Sequence, residues 1–141
     1  MKLLETLSLL LVASALSLGV GGIFLYAYSL VPDVLVETTI AAVVILLILS
    51  YFVSKGNLLT INISTILGVV APIISSSTPA HVGVLQQIFS GGLISFLGML
   101  QLLGFYLFPI AFVVLRILMN STLKKQITAT SSSKPLVMPQ E

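Results

Sequence analysis

The sequence predicts an all-α integral membrane protein with four transmembrane helices and an extra interfacial or re-entrant helix before the fourth. Three observations carry that prediction. Of 141 residues 57% are hydrophobic and 7% charged, too little polar surface to cover a water-soluble globule, so lipid is the solvent for most of the chain. Four apolar stretches reach the roughly 20 residues that a hydrocarbon core requires. All six Lys and Arg residues (Lys2, Lys55, Arg116, Lys124, Lys125 and Lys134) fall at the ends of these stretches, and threading the stretches through a bilayer puts every one on the same side.

The first span is expected over 4–30. Met1, Lys2, the Leu-rich run to Val12 and Ala13-Ser14-Ala15 imitate a signal peptide with its small-residue cleavage site. Apolar sequence continues unbroken to Leu30, however, and Glu5 is foreign to the basic start of such a peptide, so the segment reads as a retained transmembrane helix. It stops at Pro32-Asp33, where Pro lacks the N–H a helix needs and Asp is costly in hydrocarbon. The second span is expected over 36–53. Lys55-Gly56-Asn57 then signals a tight turn, because Gly and Asn tolerate positive φ, and the third span follows over 58–74. Ser75-Ser76-Ser77-Thr78-Pro79 reads as a loop.

The segment from His81 to Met119 is too long for one perpendicular helix. Its roughly 38 residues would reach about 57 Å at 1.5 Å per residue, nearly twice the hydrocarbon thickness. Gln86-Gln87 and Ser90-Gly91-Gly92 suggest a division into an interfacial or re-entrant helix over 82–89 and a fourth span over 93–118. The transmembrane domain is therefore 1–123. Residues 124–141 read as a polar, flexible tail with too little apolar surface to fold alone.

Four spans place both termini and the Lys55 turn together, and the positive-inside rule makes that side cytoplasmic in a multi-pass protein of the cell membrane. Asp33, Glu37 and His81 fall on the other side. Two sequons, at Asn62 and Asn120, lie on or near the cytoplasmic side, out of reach of glycosylation. Chance explains such triplets in a chain rich in Ser and Thr.

Several chemistries are excluded. The chain has no cysteine, which removes disulfides, thiolate metal sites, Fe–S clusters and thiol redox catalysis. The net charge of +2 comes from residues at span ends and makes no case for nucleic acid. His81 is the single histidine, whereas a bis-His haem needs two and a zinc site three or four ligands; it reads as a solvated loop residue. Asp33 and Glu37 flank the start of the second span, where negative charge stabilises a helix N-terminus by roughly 0.3–1 kcal/mol. No ionisable residue is expected at mid-depth, where proton relays and ion sites carry one. The residues that small multidrug antiporters, cytochrome b561 and quinone-coupled disulfide enzymes require are missing.

What remains is suited to packing. Ser64, Gly68, Ala71, Pro72 and Ser75 fall on one stripe of the third span, a close-contact surface for another helix or, more sharply, a polar lane in which Pro72 frees the Gly68 carbonyl. Ala13, Ser17 and Gly21 form a similar stripe in the first span, and Gly91, Ser95 and Gly98 in the fourth. Gln101 is the one strongly polar side chain deep in a span; an amide in hydrocarbon is costly unless bonded, so it should face protein. Phe105, Tyr106, Phe108 and Phe112 crowd around Pro109 at mid-depth. Gln101, Tyr106 and His81 are weak candidates for contact with a lipid or quinone; no cofactor of the chain's own, no metal site and no catalytic residue is expected. The function expected is a small non-catalytic accessory subunit of a larger, hetero-oligomeric membrane complex, by analogy a respiratory or other energy-transducing one. The alternative is a stand-alone homo-oligomeric transporter or passive channel lined by the Ser64 stripe.

Overall fold

A computed structural model describes residues 2–133. They form α1 (Leu3–Ala27), α2 (Asp33–Ser54), α3 (Leu58–Ser77), α4 (Pro79–Gln86), α5 (Gly92–Leu102), a π-helical segment (Leu103–Leu107), α6 (Phe108–Leu118) and α7 (Asn120–Ser132), with no strand among the described residues. Helices α1, α2, α3 and the continuous run Gly92–Leu118 are long and apolar enough to cross a membrane. The all-helical four-span architecture is therefore as the sequence predicts.

The fourth span is not a regular α-helix. Pro109 has no N–H, and just before it the helix widens: the Phe108 N–H reaches back five residues to the Leu103 carbonyl. In that register the Gly104 carbonyl has lost the N–H of Phe108 and would look to residue 109, which has none. A carbonyl without a partner in hydrocarbon costs on the order of several kcal/mol. It is satisfied from outside, by the Ser14 hydroxyl of α1, which donates to it at 2.6 Å. Gly104 also lets α1 come this close, since a Cβ there would lie 2.7 Å from Leu18 and 3.5 Å from Ser17.

With its register set on the fourth span, α1 becomes the centre of the bundle, packing on α2, on the fourth span and on α7. Its junction with α2 is antiparallel. At one end Ser8 and Ser50 clasp each other, each hydroxyl donating to the other residue's carbonyl at 3.0 and 3.1 Å. At the other end a Cβ on Gly22 would stand 3.0 Å from Thr39. Helix α3 packs chiefly on α6, where Gly68 meets the Pro109 carbonyl so closely that a Cβ would lie 2.9 Å from it. At the α2–α3 turn Gly56 takes φ +73°, the left-handed conformation that glycine adopts without strain.

Three expectations are corrected. The Ser-rich stretch is not a loop: α3 runs to Ser77 and only Thr78 separates it from α4. The Ser77 and Thr78 hydroxyls bond back to the Ile73 and Ile74 carbonyls, and Pro79 is preorganised for the first turn of the next helix. The extra helix therefore starts and ends three residues earlier than the expected 82–89, at Pro79–Gln86. The chain beyond Asn120 is helical to Ser132, because one apolar edge of a polar sequence suffices when a core is waiting. Leu123 is 1% exposed against the core cluster of Leu3, Leu4, Leu7 and Phe112, Ile127 packs on that cluster, and Gln126 accepts the Leu4 N–H. The rest of the expected tail, 134–141, lies outside the described residues.

The glycines give opposite expectations for one substitution. Gly83 on α4 has nothing within 4 Å of a Cβ, so Gly83→Ala should leave stability unchanged or raise it by up to about 1 kcal/mol through helix propensity. Gly104→Ala must push Leu18 aside and should lose about 1–3 kcal/mol. Reversible unfolding in mixed micelles measures both.

Candidate functional site

The two ends of the bundle differ. At the end that carries Lys2, Lys55, Arg116, Lys124 and Lys125 the core is closed, filled by Leu7, Val53, Ile61, Phe112 and Leu123 and capped by α7. Arg116 donates there to Asn120 at 2.6 Å and to Asn62 at 3.3 Å, so both sequon asparagines hold the same guanidinium. The opposite end is open inside.

The cause is the break at Thr78. Helix α3 stops beside Gln101, which lies nine residues inside the fourth span, roughly 14 Å from that span's end at 1.5 Å per residue. Helix α4 continues antiparallel to α5. The His81 carbonyl meets Gln101, a Cβ on Gly98 would lie 3.1 Å from the Val84 carbonyl, and Ser95 donates to the Ile88 carbonyl. Offset at the break, α4 leaves a cavity of about 210 Å³ between itself, α1, α2 and α5. A second cavity of about 220 Å³ lies below it among all four spans. The two share Leu18, Ala42, Ile74 and Phe105 as a common wall.

Of the three residues singled out as weak ligand contacts, Gln101 and His81 meet at this break, and Tyr106 bonds the end of α3 without lining either cavity. Gln101 donates through Nε2 to the His81 carbonyl at 3.0 Å and to the Ser75 hydroxyl at 3.3 Å; Ser75 is fully buried. Tyr106 pairs with Ser76 at 2.9 Å. The His81 ring packs on Phe105 with centroids 5.2 Å apart. His81 is thus half-buried on a helix and not a solvated loop residue, because the break sets α4 against α5. The Nδ1 of His81 is buried without a partner.

No family model, curated protein or solved structure matches the chain.

The small-residue stripes are mostly spent inside the bundle. Gly68 abuts Pro109, Gly98 abuts α4 and Gly21 faces Leu100. Ser17 bonds back to the Ala13 carbonyl, Ser64 and Ala71 line the lower cavity, and the Ser64 hydroxyl is buried with no partner. Gly91 makes no packing contact: it precedes α5 at φ +83° with nothing within 4 Å of a Cβ, so its role is conformational. Phe105, Phe108 and Phe112 face the interior and line the same cavity. Ser14 and Ser8, which hold α1 to its neighbours, carried no sequence signal except that Pro109 lies five residues after Gly104.

A groove lies on the outside. About 690 Å³ in volume, it runs between α1 and α2, with Gly19 and Gly22 on one side, Val36, Ile40, Val43 and Val44 on the other, and Tyr26, Asp33 and Glu37 at its end. Both carboxylates are exposed, and the basic residues above all lie at the far end of the bundle.

Burial holds the His81 imidazole below its ordinary value of 6.5, so the ring is neutral at pH 7. Since the unfolded chain takes up the proton first, stability is full above about pH 6.5 and falls as the pH drops from there towards the folded-state value. The melting temperature in detergent should fall between pH 7.5 and pH 5, and His81→Phe should flatten that dependence.

Proposed function

We propose that this chain is a small non-catalytic subunit of a larger complex in the cell membrane, with both termini cytoplasmic. The observation that carries the reading is the outward groove between α1 and α2. Its apolar walls, with the half-buried Gly19 on the α1 side, suit the close approach of a transmembrane helix. Asp33 and Glu37 at its end suit a partner helix that carries Lys or Arg at the corresponding level, since opposite charge at an interface favours pairing and orientation. Most small-residue surfaces are occupied by the chain's own helices, whereas this groove is open on the outside. The gathering of the described Lys and Arg residues at the α7 end supports that orientation. An energy-transducing complex is the setting that suits a helical subunit with this composition, by analogy alone.

A stand-alone passive channel is the second reading, favoured by the two stacked cavities and the broken α3–α4 element. Native purification in mild detergent separates the two. Val44 is half exposed in the groove, so Val44→Trp fills it without entering the core. Wild-type protein should recover a stoichiometric membrane partner, and Val44→Trp should lose that partner while keeping its own melting temperature. Recovery of a homo-oligomer that conducts in liposomes would overturn the subunit reading.

A further inference from the structure

The interior cavities are not used by the subunit reading, and their shape restricts what fits them. Each, at about 210 and 220 Å³, is smaller than an ordinary small-molecule pocket of roughly 300–1,000 Å³. Only both together reach that size. They are divided only by the side chains of Leu18, Ala42, Ile74 and Phe105, a narrow waist, so an occupant of both must part these side chains and is long and thin.

The lining restricts its chemistry further. Neither cavity is lined by Asp, Glu, Lys or Arg, and a charged headgroup would lose its hydration there without a counter-charge. The unused hydrogen-bonding capacity of the upper cavity lies at one place. Gln101 spends Nε2 on His81 and Ser75 and keeps Oε1 as an acceptor, and the His81 Nδ1 has no partner. The Ser17 and Thr39 hydroxyls are bonded to carbonyls of their own helices. The lower cavity is walled by Leu, Ile, Val and Phe side chains, with Ser64 as its one polar group lacking a partner.

We propose that the bundle binds one single-chain amphiphile with an uncharged, hydroxyl-bearing head: the head lies against Gln101 in the upper cavity, on the side lined by His81, and the apolar chain passes the waist into the lower cavity. A head hydroxyl donates to the Gln101 Oε1, and the flat face of Phe105 beside His81 accommodates a ring or a glycerol. Entry is lateral from the lipid between α2 and α3, since α2 packs mainly on α1 and far less on α3. A monoacylglycerol and an isoprenoid quinol offer the same chemistry.

The test uses the full chain in detergent. Organic extraction followed by mass spectrometry identifies what co-purifies, and the delipidated protein is titrated with monoolein, with a decyl-benzoquinol, and with oleate as the charged control, following the melting temperature. The expected result is saturable stabilisation by at least one neutral probe, the one extracted naming the source, and none by oleate. Gln101→Leu should weaken binding about tenfold, the loss of one hydrogen bond, and Ala42→Phe, which fills the waist, should abolish it. On the wild-type protein a short-chain monoacylglycerol should bind more weakly than monoolein, which keeps the test decisive if a variant fails to fold. Absence of binding by both neutral probes, equal binding of oleate, or affinity independent of chain length would overturn the proposal. Loss of binding in Ser64→Ala with none in Gln101→Leu would overturn it as well, by putting the head in the lower cavity.

Discussion

The fold depends on one carbonyl. Pro109 withholds an N–H, the helix before it widens, and the Gly104 oxygen is left in hydrocarbon with no partner from its own backbone. In water such a group is solvated at little cost; in lipid it must be met by another segment. The Ser14 hydroxyl meets it, and that bond fixes where α1 stands along the fourth span, while the missing Cβ of Gly104 fixes how near. Through α1 the register passes to α2 by the Ser8–Ser50 clasp and to α7 by Gln126. An irregular element that weakens one helix thus specifies how the others pack, which apolar surface alone does poorly where lipid is as apolar as a Leu side chain.

The same economy of polar groups divides the bundle into a closed half and an open half. At the α7 end the apolar side chains are large and meet fully. At the other end the break at Thr78 carries α4 aside, and Gln101 bridges the gap by bonding the backbone of α4 and the last turn of α3 at once. Packing is lost where those bonds hold the break open, and space remains between the spans. The bundle thus has a closed end that gathers the described basic residues, an interior with one polar pole, and an outer groove whose acidic end has no cation nearby among the described residues.

Much of the fold is legible in the sequence, because the properties that decide it are local. Runs of Leu, Val and Ile give the spans, Lys55-Gly56-Asn57 gives the turn, and the distribution of Lys and Arg gives the shared end. The failures have a common cause. Ser75 to Pro79 has loop composition, yet in an apolar setting its hydroxyls bond back to the helix and the carbonyl positions that water would have taken stay within helical structure. Residues 120–132 look too polar to fold, and do so because Leu123 and Ile127 have the α1 core to dock on. The half-burial of His81 is hidden for the same reason, since it follows from the break and not from its neighbours in sequence. Gln101, by contrast, announced itself: a buried amide needs partners whatever the fold, although which partners it takes depends on the offset of α4.

The most direct measurement is a double-mutant cycle of Ser14→Ala and Pro109→Ala, read by reversible unfolding in mixed micelles. With Pro109 present, Ser14→Ala strands the Gly104 carbonyl and should cost about 1–3 kcal/mol. With Ala at 109 the helix regains its own N–H for that carbonyl, and the same substitution should cost little, a coupling on the order of 1 kcal/mol or more. An equal cost in both backgrounds would show that the Ser14 bond does not compensate for the proline and would contradict the origin of the packing register described above.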